Sequence, residues 1–339
     1  MIHFFRKIRH IIYVLVALFS LLFILSRGPS YDPKEFEYGI TFSYRQSTDL
    51  GLDWKQVYLA MLDELQVKNL RLPAYWDDLE ATKGQYDWEA LDWQIDEAEK
   101  RNVSLILVLG QRVPRWPECH IPNWAEDLAE KERQEVTLEH IQKTISRYKN
   151  RPNIRFWQVE NEPFLPNFGI CPEFDKKFLD TEIALAKELD TRPVIVTDSG
   201  ELSLWALAAK RADVFGTTMY LDTYSKTLKS YIHYPITPAF FRVKKNLANL
   251  FASPQDWIVI ELQGEPWGRL SFQTLEQSER DKTMTPDRFK NTIAFIQDTG
   301  FKTFYWWGIE YWYWEKQVNN NPFYWNTAQQ LFNGTYDYK

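Results

Sequence analysis

The chain has 339 residues, of which 45% are hydrophobic, 25% charged and 16% aromatic. This length and composition predict one large folded domain and exclude a disordered, collagen-like or coiled-coil protein. The formal net charge is -6, and residues 1–30 contain four cations and no acid, so the rest of the chain has a net charge four units lower, -10. An acidic domain argues against a nucleic-acid partner.

Few side chains are available to bind a metal. The chain has five histidines and two cysteines, and it contains no HxH, HExxH or CxxC motif. Zinc and other multi-histidine sites need such groups at short spacings. The sequence therefore predicts neither a metal nor another cofactor. The 15 tryptophans are unusual, and we expect some of them to line a binding surface.

The N-terminal segment, residues 1–30, has the pattern of a membrane-targeting sequence. A basic stretch precedes an apolar run from Ile11 to Leu25 that only Ser20 interrupts. The run is short for a membrane-spanning helix, which needs about 20 residues, and a cleaved signal peptide is the alternative. Because the residues after the run form a poor cleavage site, we expect an uncleaved anchor. The basic flank predicts a domain outside the cytoplasm, anchored or else secreted.

After a short tether at 31–37, strand-like and helix-like patterns alternate to the end of the chain. Apolar runs of strand length occur at 38–43, 69–73, 103–110, 154–159, 193–197, 214–219, 257–261 and 302–307. Amphipathic runs of helix length occur at 53–66, 88–101, 133–149, 174–189, 202–212, 240–250, 286–299 and 325–331. The order is a strand followed by a helix, repeated eight times.

Eight such units predict an α/β fold of the (β/α)8 barrel type, formed by residues 38–339. Continuous apolar strands joined by long helical connections form parallel sheets that are buried on both faces. A doubly wound open sheet is the alternative, but no strand is followed by a GxGxxG or P-loop motif. In a barrel of this kind, functional side chains follow the carboxyl ends of the strands.

Two predicted strands end in glutamates. Glu162 lies in the sequence QVENEP after the fourth strand, and Glu261 ends the seventh strand. Two carboxyl groups facing each other across a sugar ring are what hydrolysis of a glycosidic bond requires. Glu265 and Glu160 are local rivals, of which Glu265 lies on a loop and Glu160 shares strand parity with Glu162.

These motifs resemble the clan A retaining glycoside hydrolases, the barrel group that includes cellulases, mannanases, xylanases and many β-galactosidases. The resemblance covers the whole predicted barrel and includes Asn161-Glu162-Pro163 after the fourth strand and Glu261 in the seventh. It also includes the segment YWDDLEATKGQYDWEALDWQIDEAEKRNVSLILVLG between the second and third strands.

The resemblance implies a role for each matching residue. Glu162 corresponds to the general acid/base, Asn161 to the residue that binds the sugar 2-hydroxyl, and Glu261 to the nucleophile. Arg71 and Tyr220 correspond to the groups that hydrogen-bond the nucleophile and keep it ionised. Arg71 as a purely structural ion-pair partner, and Tyr220 as a cap of the barrel, are the alternatives.

Three further residues are predicted near the sugar. Trp306 or Trp307 matches the aromatic platform on which a pyranose packs, and Gln111 is a candidate polar contact for sugar hydroxyls. The aromatic segment 308–314 is expected to be a loop at the same end of the barrel, because its side chains are too large to be buried together. Tryptophans 76, 116, 124 and 267 are expected to complete this rim.

The sequence departs from the cellulase pattern, since the histidines that many members carry after the third and sixth strands are missing. The segments RVPRWP and ELQGEPW are closer to the β-galactosidase-like branch. Cys119 and Cys171 lie in the predicted loops after the third and fourth strands, which are neighbours in a barrel. A disulfide requires their Cα atoms to lie within about 7 Å, and two unrelated thiols are the alternative.

The sequence thus predicts a glycosidase that cleaves O-glycosidic bonds in a β-linked oligo- or polysaccharide with retention. Retention predicts carboxyl groups about 5–5.5 Å apart. A membrane-anchored barrel that binds glycan without cutting it is one alternative. A transglycosylase with the same catalytic pair is another, and the sequence does not separate it from a hydrolase.

Overall fold

The computed structural model describes residues 2–165 and 168–338. Met1, the first residue of the predicted N-terminal segment, and Lys339, the last residue of the predicted barrel, lie outside the described residues. The described chain forms ten strands and fourteen α-helices.

Eight parallel strands close into a barrel in the order β1-β10-β9-β6-β5-β4-β3-β2. They are β1 Glu37–Thr41, β2 Asn69–Pro73, β3 Ser104–Leu109, β4 Ile154–Val159, β5 Val194–Asp198, β6 Val214–Met219, β9 Asp256–Gln263 and β10 Thr303–Trp307. The predicted (β/α)8 barrel is confirmed, and the doubly wound sheet is excluded. Glu261 does not end its strand as predicted, since β9 continues to Gln263.

Alternate residues of each strand serve two cores. On β3, Ile106 belongs to a small cluster of six residues that come from five strands. The other five are Ile195, Val214, Ile258, Ile260 and Tyr305. The chain neighbours of Ile106, which are Leu105 and Leu107, pack instead in the large core with the surrounding helices. Both faces of the strands are therefore apolar, which explains why the strand runs in the sequence are continuous rather than alternating.

The helices lie outside the barrel strands. They are α1 Ile2–Leu25, α2 Tyr44–Asp49, α3 Trp54–Asp63, α4 Trp76–Leu79, α5 Glu89–Lys100, α6 Asn123–Glu126, α7 Glu130–Tyr148, α8 Lys176–Leu189, α9 Ala206–Ala209, α10 Pro238–Asn249, α11 Gln277–Arg280, α12 Pro286–Ile296, α13 Ile309–Gln317 and α14 Phe323–Phe332. Helices α3, α8 and α12 begin after Asp53, Asp175 and Thr285, whose side chains accept hydrogen bonds from the first turn. Helix α1, whose described side chains are largely exposed, contacts α10. The predicted helix 202–212 is reduced to α9.

An antiparallel hairpin was not predicted. Strands β7 Asp222–Ser225 and β8 Ser230–His233 pair with each other between β6 and α10. Asp222 closes the base of this hairpin, since it pairs with His233 in register and contacts its Nδ1 at 2.9 Å.

Helix α1 occupies most of residues 1–30, the segment predicted to be a membrane anchor. Over the described residues, no helix combines the length and apolar character that crossing a membrane requires. The predicted anchor therefore has no support from the fold.

The aromatic segment after β10 corrects a prediction. Instead of a loop, it forms helix α13, in which Tyr311, Trp312 and Trp314 are buried and Tyr313 is half-buried. These rings pack edge-on or stacked against neighbours such as Phe272 and Phe289. The aromatic side chains fit because they fill the layer between barrel and helices, which is larger than the inside of the barrel.

Candidate active site

The predicted site residues come together at the carboxyl-end rim of the barrel. Arg71 belongs to β2, Glu162 follows β4, Tyr220 follows β6 and Glu261 lies on β9. All of them are buried, and the exposed fractions of Arg71, Glu261 and Glu162 are 0%, 4% and 5%. Charged groups in such surroundings need partners, because transfer of an unpaired charge from water is costly.

Glu261 has two donors. Arg71 Nη1 lies 2.7 Å from Oε1, and the Tyr220 hydroxyl donates to Oε2 at 3.1 Å. Burial and the charge of Glu261 raise the pKa of Tyr220 well above its usual value, so the phenol keeps its proton and remains a donor. Each carboxyl oxygen of Glu261 thus has a donor of its own, one a cation and the other a neutral phenol.

The guanidinium of Arg71 connects three strands. Besides Glu261 on β9, it donates from Nη2 to Asn161 Oδ1 at 2.6 Å and from Nε to Gln158 Oε1 at 2.8 Å. A planar, fixed fork of donors suits this arrangement better than the flexible ammonium of lysine. Asn161 and Glu261 are therefore held by the same side chain.

Glu162 has the opposite environment. Its backbone N–H donates to Thr197 Oγ1 at 2.8 Å, while the side-chain Oε1 is buried without a hydrogen-bond partner among the described residues. Burial, together with the negative charges of Glu261 and Glu118, raises the pKa of Glu162 well above its usual value. The two glutamates thus have different surroundings, since Glu261 is bound by a cation and a phenol whereas Glu162 is buried near other carboxyl groups.

The local rivals have other partners. Glu265 binds Arg115, with Nη1 to Oε1 at 2.5 Å, and accepts a hydrogen bond from Trp307 Nε1 at 2.8 Å. Glu160 accepts hydrogen bonds from the backbone N–H groups of residues 111 and 112, each at 2.8 Å. The contact to Arg71 distinguishes Glu261 from both.

Two residues that the sequence did not suggest lie in the site. Glu118 accepts a hydrogen bond from Asn161 Nδ2 at 3.1 Å, and burial raises the pKa of Glu118 to about 7, with Glu261 adding to the rise. The guanidinium of Arg115 stacks over Trp307 with its Cζ 4.0 Å from the ring centre. Both residues have positive φ angles, 75° and 88°, which local propensity does not predict.

The predicted sugar platform is only partly supported. Trp306 is fully buried and stacks on Phe289, with ring centres 4.8 Å apart, so it is a core residue and not part of the site. Trp307 does face the site, but Arg115 covers its ring. Gln111 lines a separate small cavity beside the rim, together with Glu160 and Glu182.

Two of the four tryptophans expected to complete the rim, Trp76 and Trp124, are also packing residues. Trp76 is fully buried and stacks on His140, and Trp124 donates from Nε1 to the Glu80 carbonyl at 2.7 Å. Trp267 remains close to the site, since its ring lies edge-on to Tyr220 with centres 5.1 Å apart. Trp116 is the exposed one, at 57%.

A buried carboxyl pair lies next to the site. Glu182 on α8 hydrogen-bonds Glu160. Burial raises the pKa of Glu160 to about 7. Burial, and to a smaller extent the charge of Glu160, raises the pKa of Glu182 well above its usual value. At these two carboxyl groups the folded state therefore binds more protons than the unfolded state. Their contribution to the free energy of unfolding should fall as pH rises from about 4.5 to 7 and beyond.

We expect Glu182→Gln to weaken this pH dependence, because glutamine keeps a donor for Glu160 but carries no titrating group. Thermal unfolding followed by circular dichroism at pH 5 and pH 8 measures it. The drop in Tm between the two pH values should be smaller in this variant than in the wild type. Glu188→Gln, an exposed position on the same helix, is the control and should keep the wild-type drop; an unchanged drop in Glu182→Gln would contradict the assignment.

The structure joins Cys119 and Cys171 in a disulfide, with Cα atoms 5.2 Å apart and a sequence separation of 52. The bond links the loop after β3 to the loop after β4. Closing a loop of this length restricts the unfolded chain, which corresponds to about 4 kcal/mol in the chain-entropy treatment.

Replacing both cysteines by serine should therefore lower the free energy of unfolding by up to about 4 kcal/mol. Urea denaturation measures the change. Adding a reductant should destabilise the wild type to a similar extent and leave the double variant unaffected. Equal stability of wild type and variant under oxidising conditions would show that the bond does not form.

Within the described residues, no cluster of three or more His, Cys, Asp or Glu side chains is placed to hold a metal ion. The side chains that meet around Arg71 at the rim carry carboxyl, guanidinium, amide and phenol groups.

Comparisons with known proteins found similar sequences and similar folds. The family model described as Glycosyl hydrolase family 10 matches residues 38–179, which is less than half of the chain. The β-galactosidase BgaA of Clostridium cellulovorans is 22% identical over 296 residues, which cover 80% of this chain and 44% of that protein. The chain thus spans less than half the length of this curated relative.

Solved structures share the fold at low sequence identity. Xylanase 10B of Thermotoga maritima superposes with a TM-score of 0.57 at 16% identity, covering 89% of this chain and 96% of the xylanase. The β-galactosidase of Marinomonas ef1 gives 0.54 at 14% identity, covering 80% and 54%. A GH42 β-galactosidase of G. stearothermophilus gives 0.59 at 12% identity, covering 89% and 56%.

A closed parallel barrel with a pair of glutamates at its carboxyl-end rim is the architecture of the (β/α)8 glycoside hydrolases. The family-model match, the curated relative and the shared fold confirm the predicted resemblance to clan A of these enzymes. They also support the predicted glycosidase class. The matches include both xylanases and β-galactosidases, so they indicate no single substrate.

Proposed function

We propose that the protein is a retaining glycosidase that hydrolyses a β-linked glycan with Glu162 as general acid/base and Glu261 as nucleophile. The observation that carries the proposal is the contrast between the two glutamates. Glu261 is bound by Arg71 and Tyr220, whereas Glu162 is buried with an unpartnered oxygen.

The first step forms a covalent intermediate. The Glu261 carboxylate bonds to the anomeric carbon while the bond from that carbon to the glycosidic oxygen breaks. The departing oxygen takes the proton of Glu162, and the raised pKa of Glu162 favours the protonated form that this step needs.

In the second step, water replaces the leaving group. The ionised Glu162 accepts a proton from the water while the water oxygen bonds to the anomeric carbon. The bond between that carbon and Glu261 breaks at the same time. Arg71 and Tyr220 stabilise the carboxylate that is released. Both glutamates return to their starting protonation states, so no cofactor is consumed.

A substrate panel tests this function. Aryl β-glucoside, β-galactoside, β-mannoside and β-xyloside, together with the corresponding polysaccharides, would be assayed with the wild type and Glu162→Gln. We expect the wild type to turn over at least one of them, and the variant to lose most activity on polysaccharide but less on substrates with a good leaving group, which need no acid. Tight binding of a glycan without any turnover would favour a glycan-binding barrel instead.

Glu118, the third carboxyl group of the site, is expected to influence how activity depends on pH. Because the charge of Glu118 contributes to the raised pKa of Glu162, Glu118→Gln should lower that pKa. Glu162 would then lose its proton at lower pH, and the alkaline limb of the kcat/KM profile should move to lower pH by several tenths of a unit or more. Glu173→Gln, at an exposed position, is the control; a profile for Glu118→Gln that superposes on the wild type would contradict the coupling.

A location outside the cytoplasm belongs to this proposal. It is supported by the disulfide, because disulfides persist in oxidising compartments and are rare in the cytosol. Membrane attachment through residues 1–30, with secretion as the alternative, remains a prediction. Expression of the full chain with cell fractionation distinguishes membrane attachment, secretion and a cytosolic location. Alkylation of free thiols in each fraction then shows whether the disulfide has formed.

A further inference from the structure

The loop after β3, residues 111–122, crosses the mouth of the barrel, and we call it the strap. Its two arms are joined by backbone hydrogen bonds, from the His120 N–H to the Gln111 carbonyl at 2.8 Å and from the Val113 N–H to the Glu118 carbonyl at 2.9 Å. The strap is therefore an ordered hairpin-like unit rather than an open loop.

Its two sides are fixed to different parts of the rim. On one side, Cys119 is bonded to Cys171 in the loop after β4. On the other, Arg115 binds Glu265 after β9 and Glu310 on α13, with N–O distances of 2.5 and 2.7 Å. Strands β3 and β9 are four positions apart in either direction around the eight-stranded barrel, so the strap spans the full diameter.

The strap covers the candidate catalytic groups. Glu118 reaches down to Asn161, and the guanidinium of Arg115 covers Trp307. Beneath it, only about one twentieth of the surface of Glu162 and of Glu261 is exposed. The strap thus makes contacts on opposite sides of the rim that carries the two glutamates.

We propose that the strap restricts this enzyme to the ends of its glycan, so that the substrate class is a terminal sugar of a β-linked oligosaccharide or a small β-glycoside. The inference rests on the proposed function. Cleavage within a long chain requires sugar units on both sides of the catalytic pair, and the strap occupies the path that such a chain would take.

The test is the early product pattern from β-linked hexasaccharides labelled at the reducing end, with gluco-, manno-, xylo- and galacto-configured chains as probes. At less than about a tenth of full conversion, we expect a monosaccharide and a labelled pentasaccharide, and no early fall in the viscosity of the matching polysaccharide. Labelled products of two to four units from the wild type would overturn the proposal. No turnover of any probe or aryl glycoside would instead overturn the proposed function, and this inference with it.

Variants of the strap give a second readout. Arg115→Ala frees the β9 side, and the paired Cys119→Ser, Cys171→Ser variant frees the β4 side without changing the buried charges. Circular dichroism shows which of these variants remain folded. In at least one folded variant, the ratio of internal to terminal cleavage should rise at least tenfold. Arg115→Lys keeps the charge but not the fork that binds two carboxylates, and its ratio should lie between those of the wild type and Arg115→Ala. Folded variants that release only terminal sugar would contradict a role of the strap.

Discussion

Replacing Glu261 by glycine is expected to lower kcat by at least about 10³-fold on every substrate the protein turns over, because the covalent route then has no nucleophile. Glu261 is the carboxylate that Arg71 and Tyr220 bind together, and the neighbouring glutamates have other partners. A small external anion that fits the vacated space should restore part of the rate. Azide should do so by forming a glycosyl azide of inverted configuration.

The control for this experiment is a glutamate outside the site. Glu173→Gln should keep wild-type kinetics, and the rate without azide should be measured for both variants. Full activity of the Glu261 variant, or equal azide rescue of a Glu265 variant, would contradict the assignment of the nucleophile.

The second large effect is expected at Arg71. Arg71→Met should lower the free energy of unfolding by about 3–5 kcal/mol, because it removes one partner of a buried ion pair and leaves the Glu261 charge without its cation. Asn161 Oδ1 and Gln158 Oε1 also lose their donors. Activity should fall as well, since Glu261, the proposed nucleophile, loses its guanidinium partner.

A double variant separates the ion pair from the other contacts. Arg71→Met combined with Glu261→Gln should be more stable than the sum of the single effects predicts, because removing both charges relieves the unpaired carboxylate. Arg71→Lys keeps the charge but not the three-way fork, and should lie between the wild type and Arg71→Met. Strict additivity in urea denaturation would show that the two side chains do not interact.

The barrel could be predicted from the sequence because its strands are apolar on both faces. Runs such as 69–73 and 154–159 match β2 and β4 residue for residue. Local patterns were less informative where tertiary packing decides the structure. The hairpin of β7 and β8 is mostly half-buried or exposed, and α13 is buried on nearly all sides, so it lacks the polar face that identifies an amphipathic helix.

The candidate site was predictable where residues belong to strands. Arg71 and Glu261 have fixed positions once the barrel is recognised, and Glu162 follows β4 directly. Arg115 and Glu118 depend on the path of the strap, whose positive φ angles and disulfide are not visible in local sequence preferences. A signal was present in the charged residues close to Cys119, because a cross-link to the neighbouring loop fixes them near the rim.

The tryptophan prediction failed for a related reason. Proximity to a strand end does not determine which way an indole points, and Trp306 shows this, since it faces the helices and stacks on Phe289. Its neighbour Trp307 points the other way, as alternate residues of a strand must. The parity of residues along β10 is therefore the sequence signal that distinguishes the core tryptophan from the one at the site.

The central claim is that Glu261 forms a covalent bond to the sugar. It is tested most directly by incubating the protein with an activated 2-deoxy-2-fluoro β-glycoside of the sugar it prefers, followed by mass spectrometry of the intact and the digested protein. We predict a mass increase of one fluorosugar per chain, located on the peptide that contains Glu261 and absent from Glu261→Gln. A label on another carboxylate, or turnover of the parent glycoside with inversion and no label, would contradict the mechanism.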